Sequence, residues 1–152
     1  MPAAHTPTGP SPIRSRGELV GIYAELVPAI WQEARPLIAS ALARGNGGFA
    51  EEDILGALLS REMQLWLYVE GRIKGVVVTE LVNYPRLRAC LLVLCAGTDI
   101  QGWIHHIETL ERWASAQGCE VIEAYGRRGW ARLLKGWEQR TMLMKELDHA
   151  GR

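Results

Sequence analysis

Cysteine is scarce and scattered: Cys90, Cys95 and Cys119 are an odd number, and no two stand at C-x-x-C spacing. That excludes a disulfide scaffold and a cysteine-held zinc site, so no metal is expected. Charge of one sign is lacking as well. The 17 Lys and Arg balance the 17 Asp and Glu, for a net charge of zero. A strongly basic nucleic-acid binder is excluded on that ground, and no nucleic-acid partner is expected. The apolar run at 91–96 is far shorter than the roughly 20 residues that a membrane helix needs. The first twelve residues are rich in Pro, Thr and Ala and hold no apolar signal-peptide core, so a reducing, cytoplasmic setting without a membrane is expected. What is present suits one domain: 152 residues, 48% hydrophobic and 22% charged.

Along the chain, residues 1–15 carry Pro2, Pro7, Pro10 and Pro12 and read as a flexible arm. Leu19, Ile22, Tyr23 and Leu26 share a helical face, so the spacing predicts a helix over 16–27, ended or kinked by Pro28. A second helix is predicted over 30–43, interrupted by Pro36, and a third over 49–60 with Glu51, Glu52 and Asp53 in its first turn. The period then changes. Residues 64–70, 73–82 and 87–95 read as three strands joined by tight turns, and Gly75 marks a bulge or a close approach. The third strand is apolar on both faces and therefore central. Residues 99–117 form the best-defined helix, with Thr98 and Gln101 matching a capping box and Trp103, Ile107, Leu110 and Ala114 on its buried face. A strand at 121–125, a short helix at 130–134 and a last strand at 140–146 complete the order, before a frayed end at 148–152. The fold class is thus α/β, a mixed sheet of five to seven strands with an antiparallel front and a right-handed crossover behind.

That order over residues 16–147 resembles the GNAT fold of acetyl-CoA-dependent N-acetyltransferases, a single GNAT-like domain with helices flanking the mixed sheet. The strand at 87–95, the helix at 99–117, the strand at 121–125 and Gly136-Trp137 stand where that family has its cofactor gap and a Gly-Phe pair. A narrower likeness is to GNAT-like proteins of tailed bacteriophages, some of them internal virion or assembly proteins of short-tailed phages. It rests on Gln64-Leu65-Trp66-Leu67, Tyr84-Pro85-Arg86, Trp113-Ala114 leading to Gly118-Cys119, and Gly126-Arg127-Arg128-Gly129-Trp130. This resemblance implies phage structural proteins as partners, the host cytoplasm or the virion as location, and room for a homo-oligomer.

The GNAT resemblance also says what chemistry to look for. The family's diphosphate signature, [RQ]-x-x-G-x-[GA], is met nowhere in this chain. The cofactor-binding candidates are Ala96, Gly97, Thr98 and Gly102, at the start of the long helix. Thr98 as N-cap would occupy an amide there, and Asp99 sets a negative charge where phosphate would lie, so acetyl-CoA is expected to bind weakly or not at all. The family's general-acid position falls on Arg132, a poor proton donor, which leaves Tyr125 as the candidate acid. Glu80 and Glu123 are the candidate bases. Arg127, Arg128, Trp130 and Arg132 combine cations with an aromatic, as partner-binding anchors do. Glycine at 126 permits a sharp turn with positive φ, and Arg127 or Arg128 is expected to pair with a carboxylate such as Glu123. Two functions stay open: a protein-binding module with a degenerate cofactor loop, and an active N-acetyltransferase.

Overall fold

In the computed structural model the described residues are 17–45, 47–126 and 128–148, the side chain of Arg128 excepted. The expected arm at 1–15 and residues 149–152 of the expected frayed end lie outside them. Five strands make one sheet in the order β1-β2-β3-β4-β5. β1 (Glu18–Ile22), β2 (Gln64–Glu70), β3 (Arg72–Asn83) and β4 (Arg88–Gly97) run antiparallel in turn, and β5 (Val121–Ala124) is parallel to β4. A parallel pair needs a crossover. Here it passes through α3 (Ile100–Trp103), a 3₁₀ turn (Ile104–His106) and α4 (Ile107–Ala116). The opposite face of the sheet is covered by α1 (Val27–Ala43) and α2 (Glu51–Leu59), and α5 (Arg128–Leu133) follows β5.

Strand alternation divides the apolar residues between two cores. Leu65, Leu67, Val76 and Val78 pack on Ala34 and Ile38 of α1 and on Ile54 and Leu58 of α2. Trp66, Tyr68, Val77 and Leu92 pack on Trp103, Ile107 and Leu110. All nine side chains expected in the core from the sequence (Leu65, Leu67, Val76, Val78, Leu92, Leu94, Trp103, Ile107 and Leu110) are buried. The buried hydroxyl of Thr79 is fully used: it accepts from Trp66 Nε1 at 3.1 Å and donates to Gln64 Oε1 at 2.8 Å.

Trp103 holds the second core to the end of the sheet. Its ring stacks on Tyr68 with centroids 5.1 Å apart, and its Nε1 donates to the Thr98 carbonyl at 3.0 Å. A Cβ on Gly75 would lie 2.3 Å from the indole and one on Gly97 would lie 2.9 Å from it, so both strands need glycine where the ring crosses them. The ladder also shifts there, with Tyr68 opposite Gly75 but Val69 opposite Ile73. Gly75 thus marks both a close approach and a bulge.

Four local expectations are corrected. Residues 18–22 are strand β1, not helix: their backbone groups pair with β2 from Glu18↔Val69 to Ile22↔Leu65, and Tyr23 and Leu26 of the supposed apolar face stand exposed. Pro28 begins α1 rather than ending a helix, because its missing N–H costs nothing in a first turn, and Pro36 is carried inside α1. The Thr98/Gln101 capping box does not form, and the expected helix over 99–117 is divided. Asp99 is the N-cap, in the left-handed region at φ +52° and with no side-chain cap bond, and the α-helix gives way to 3₁₀ geometry at Ile104. Residues 140–146 are not a strand; no described strand pairs with them.

Trp103→Ala should cost about 3–5 kcal/mol of stability, because the cavity opens between two strands that cannot close over it. Leu143→Ala, at an exposed site, should leave stability within about 0.5 kcal/mol of the parent. Urea melts of both variants check the contrast.

Candidate functional site

The site begins with one extra residue in β4. Val78 pairs with Leu94 and Thr79 with Leu92, so Val93 has no residue opposite it. The alternation slips accordingly: Leu92 faces the α4 core, while Val93 and Leu94 both join the α1 core. A bulge bends its strand and raises the local twist. β4 and β5 pair from Ala89↔Val121 to Leu92↔Ala124 and no further, although β4 continues to Gly97.

The two strands therefore part into a wedge, a cleft of about 130 Å³. Arg44 from the end of α1, Val93 and Cys95 of β4, Tyr125 and Gly126 beyond β5, and Trp130 of α5 line it. Sequence reasoning missed Arg44 and Cys95. The signal was no more than a cation closing a helix before a glycine loop and a thiol in an apolar strand. Gly126 is needed for closeness, not for positive φ as expected: a Cβ there would sit 2.6 Å from Trp130 Cδ1, and its φ is not positive. The ring of half-buried Trp130 thus seats on the end of β5 and walls the wedge on that side.

Tyr125 is exposed and lines both the wedge and a larger cleft of about 940 Å³ along the outer edge of β5. Glu80 is half-buried on β3, opposite Leu91, and lines neither cleft. Glu123 lies across from the same Leu91 on β5, and its Oε1 accepts from the Tyr84 hydroxyl at 2.9 Å. That bond, made to an anion, pushes the Tyr84 phenol above its ordinary value. Arg132 is exposed on α5, whereas Arg127 and the side chain of Arg128 lie outside the described residues, and with them the expected pairing to Glu123.

Ala96, Gly97, Thr98 and Gly102 are not brought to the wedge. Ala96 and Gly97 pair with Val76 and Gly75, and the Thr98 amide donates to the Lys74 carbonyl at 2.9 Å. The Asp99 carboxylate lies over Gly102, so close that a Cβ there would meet Oδ2 at 2.5 Å. The loop is closed by its own contacts. His106 packs on Tyr68 away from the wedge, and its imidazole is held below the ordinary value by burial and then by His105. Among the described residues no group of three His, Cys, Asp or Glu could hold a metal ion, and no helix is long and apolar enough to cross a membrane.

No family profile and no curated protein sequence matches the chain. Solved structures do. An aminoglycoside acetyltransferase from an uncultured soil metagenomic sample, in complex with sisomicin, superposes with a TM-score of 0.64 at 15% identity, over 87% of this chain and 97% of that one. A ribosomal-protein-alanine N-acetyltransferase from Brucella melitensis biovar Abortus 2308 gives 0.63 at 15% identity, over 90% and 100%. An aminoglycoside N-acetyltransferase, AAC(6')-Iy, in complex with CoA, gives 0.62 at 11%, over 90% and 97%. The single domain described above therefore has the GNAT fold, a mixed sheet of five strands flanked by helices.

Burial pushes the thiols of Cys90 and Cys95 up from 9.0 to about 12. They stay protonated in the folded state while the same thiols in the unfolded chain ionise. Their contribution to stability is complete below pH 9.0 and is lost as pH rises toward about 12. Denaturant melts across that range should show stability falling. Thiol labelling at pH 8 should spare the buried Cys90 relative to the half-buried Cys119.

Proposed function

We propose that the protein is an N-acyltransferase that takes its acyl group from a coenzyme A thioester seated in the wedge between β4 and β5. The observation that carries this reading is the parting of the two strands at the Val93 bulge, with Tyr125 at the mouth of the gap. When bound, acetyl-CoA supplies an activated acyl group. The gap-facing N–H and C=O groups of residues 93–95 have no strand partner among the described residues, and they suit an extended arm that carries amides. Trp130 and the buried Leu134 close one wall and keep water from it. The Tyr125 hydroxyl is the group to protonate the departing thiolate sulfur. Glu80 is the candidate to take the proton of the attacking amine, and since it lines neither cleft it would act through water.

The residues fit the arm but not the diphosphate. At the start of α3 the Thr98 amide is already bonded, the Asp99 carboxylate covers Gly102, and the helix is only four residues long. An anion there meets a fixed negative charge at a cost of about 1 kcal/mol or more. The same feature favours a second, non-catalytic reading, which we extend, on the sequence resemblance alone, to a module of a phage particle that binds a structural protein through Trp130, Arg132 and the neighbouring Arg127 and Arg128. Both readings predict weak affinity for the free coenzyme, but only the first predicts turnover.

Calorimetry with acetyl-CoA and CoA, paired with thiol-release assays on a panel of amines, separates them. On the first reading acetyl-CoA binds and Asp99→Gly tightens it about fivefold, by removing the charge and relieving the left-handed backbone. Tyr125→Phe should leave binding unchanged and lower kcat by about a hundredfold. Absence of binding in both the parent and Asp99→Gly would remove the enzyme reading and leave the module.

A further inference from the structure

We infer that Arg44 binds a carboxylate at the free end of the acyl group, so that the donor is the coenzyme A thioester of a short dicarboxylic acid. This rests on the acyltransferase reading and names the acyl group that reading leaves open. The first observation is where the charge sits. Ala41 and Arg44 stand three residues apart at the end of α1, and both line the wedge. The end of α1 therefore lies over the parting strands. Burial pushes the Cys95 thiol up and the Arg44 guanidinium draws it back, which sets that charge beside β4.

The second observation is that nothing answers this charge. Among the described residues that line the wedge, Arg44 alone is charged, and no Asp or Glu joins it there. Arg44 makes no ion pair with a described residue. A cation at a helix C-terminus is favoured by the dipole whatever it faces. The dipole explains the cation, and it leaves the N–H groups of the guanidinium unused. Those groups form a planar fork that matches the two oxygens of a carboxylate.

Size limits what carries that carboxylate. The wedge of about 130 Å³ has room for about four groups the size of water, at about 30 Å³ each. A thioester carbonyl, a methylene or two and a carboxylate fill that space, and a long acyl chain exceeds it. Tyr125 lines the same small cleft as Arg44. A carboxylate on Arg44 thus lies only a few atoms from a sulfur that Tyr125 can reach.

The closed loop before α3 gives the reason for a second anchor. With the Thr98 amide bonded to Lys74 and the Asp99 carboxylate over Gly102, a thioester gains little from its diphosphate. A charge-assisted contact at the acyl end compensates. In the transfer, the bond from the acyl carbon to the acceptor nitrogen forms as the carbon–sulfur bond breaks. Tyr125 gives its proton to the departing sulfur, Glu80 takes the nitrogen's surplus proton through water, and exchange with solvent restores both. The distal carboxylate is unchanged, and the product is an amide that still carries it.

Calorimetry of the full chain with succinyl-CoA, butyryl-CoA and acetyl-CoA tests this. The first two match in length and differ in the terminal carboxylate. Succinyl-CoA should bind at least about tenfold more tightly than butyryl-CoA, and the preference should shrink as salt is raised, because Arg44 is exposed. Arg44→Gln should bring succinyl-CoA to the level of butyryl-CoA, with circular dichroism matching the parent, and Arg44→Lys should keep part of the preference. Equal binding of the two by the parent would overturn the inference and leave the acyltransferase reading standing, as would a preference that survives Arg44→Gln. Binding of none of the three would remove both. Amine panels with acetyl-CoA as donor give the last arm. A preference for amino acids over their amides that Arg44→Gln abolishes, without any donor preference, would assign Arg44 to the acceptor and overturn the inference.

Discussion

Val93 has no residue opposite it on β3, and that one surplus residue turns two successive side chains of β4 into the same core. Up to Leu92 the strand can hold β5 in a parallel ladder; past it the strand aims elsewhere. The geometry of the far half of the sheet depends on this. The gap, the placing of Tyr125 at its mouth and the seat of Trp130 on Gly126 are all set by where β4 leaves β5. Tertiary packing stabilises the bend: Val93 and Leu94 are both taken up by the apolar cluster beneath α1.

The other end of β4 is used differently. A glycine-rich strand end before a helix offers free amides to an anion when the backbone stays open. Here the same glycines admit an indole. Trp103 crosses Gly75 and Gly97, bonds the Thr98 carbonyl and stacks on Tyr68, while the Thr98 amide is drawn into the hairpin. These contacts fix the sheet end and engage both backbone polar groups of Thr98. Asp99, left-handed and lying over Gly102, completes the closure. Packing takes up this short stretch of backbone.

Much of this was legible in the sequence. β2 has the bounds that its apolar run implied, and the parallel neighbours β4 and β5 follow from the strand–helix–strand order. Tyr125, singled out only as the alternative to Arg132 at the general-acid position of the resemblance, lies beside the wedge. What escaped was non-local. Leu19, Ile22, Tyr23 and Leu26 satisfy a helical spacing, and only pairing with β2 decides that residues 18–22 are a strand. Val93 sits in an unbroken apolar run, where a slip of one residue leaves no trace in hydropathy. Arg44 reaches the wedge from α1, some fifty residues before Cys95, and no spacing rule connects them. The Thr98/Gln101 pair fits a capping pattern that the left-handed Asp99 cancels. The expected strand at 140–146 had the right composition, but a strand exists only against a partner.

The seat of Trp130 on Gly126 has an optical side. The chain holds six tryptophans, and several are fixed in contrasting surroundings. Trp66 meets Trp113 edge-on at 5.1 Å, and Trp103 lies nearly parallel to Tyr68. Rings locked at set angles in an asymmetric core give near-ultraviolet dichroism, a signature of close packing that vanishes when the core loosens. Trp130 differs, because it is half-buried and lines the wedge. Its indole borders that gap, so its emission should respond to whatever enters there.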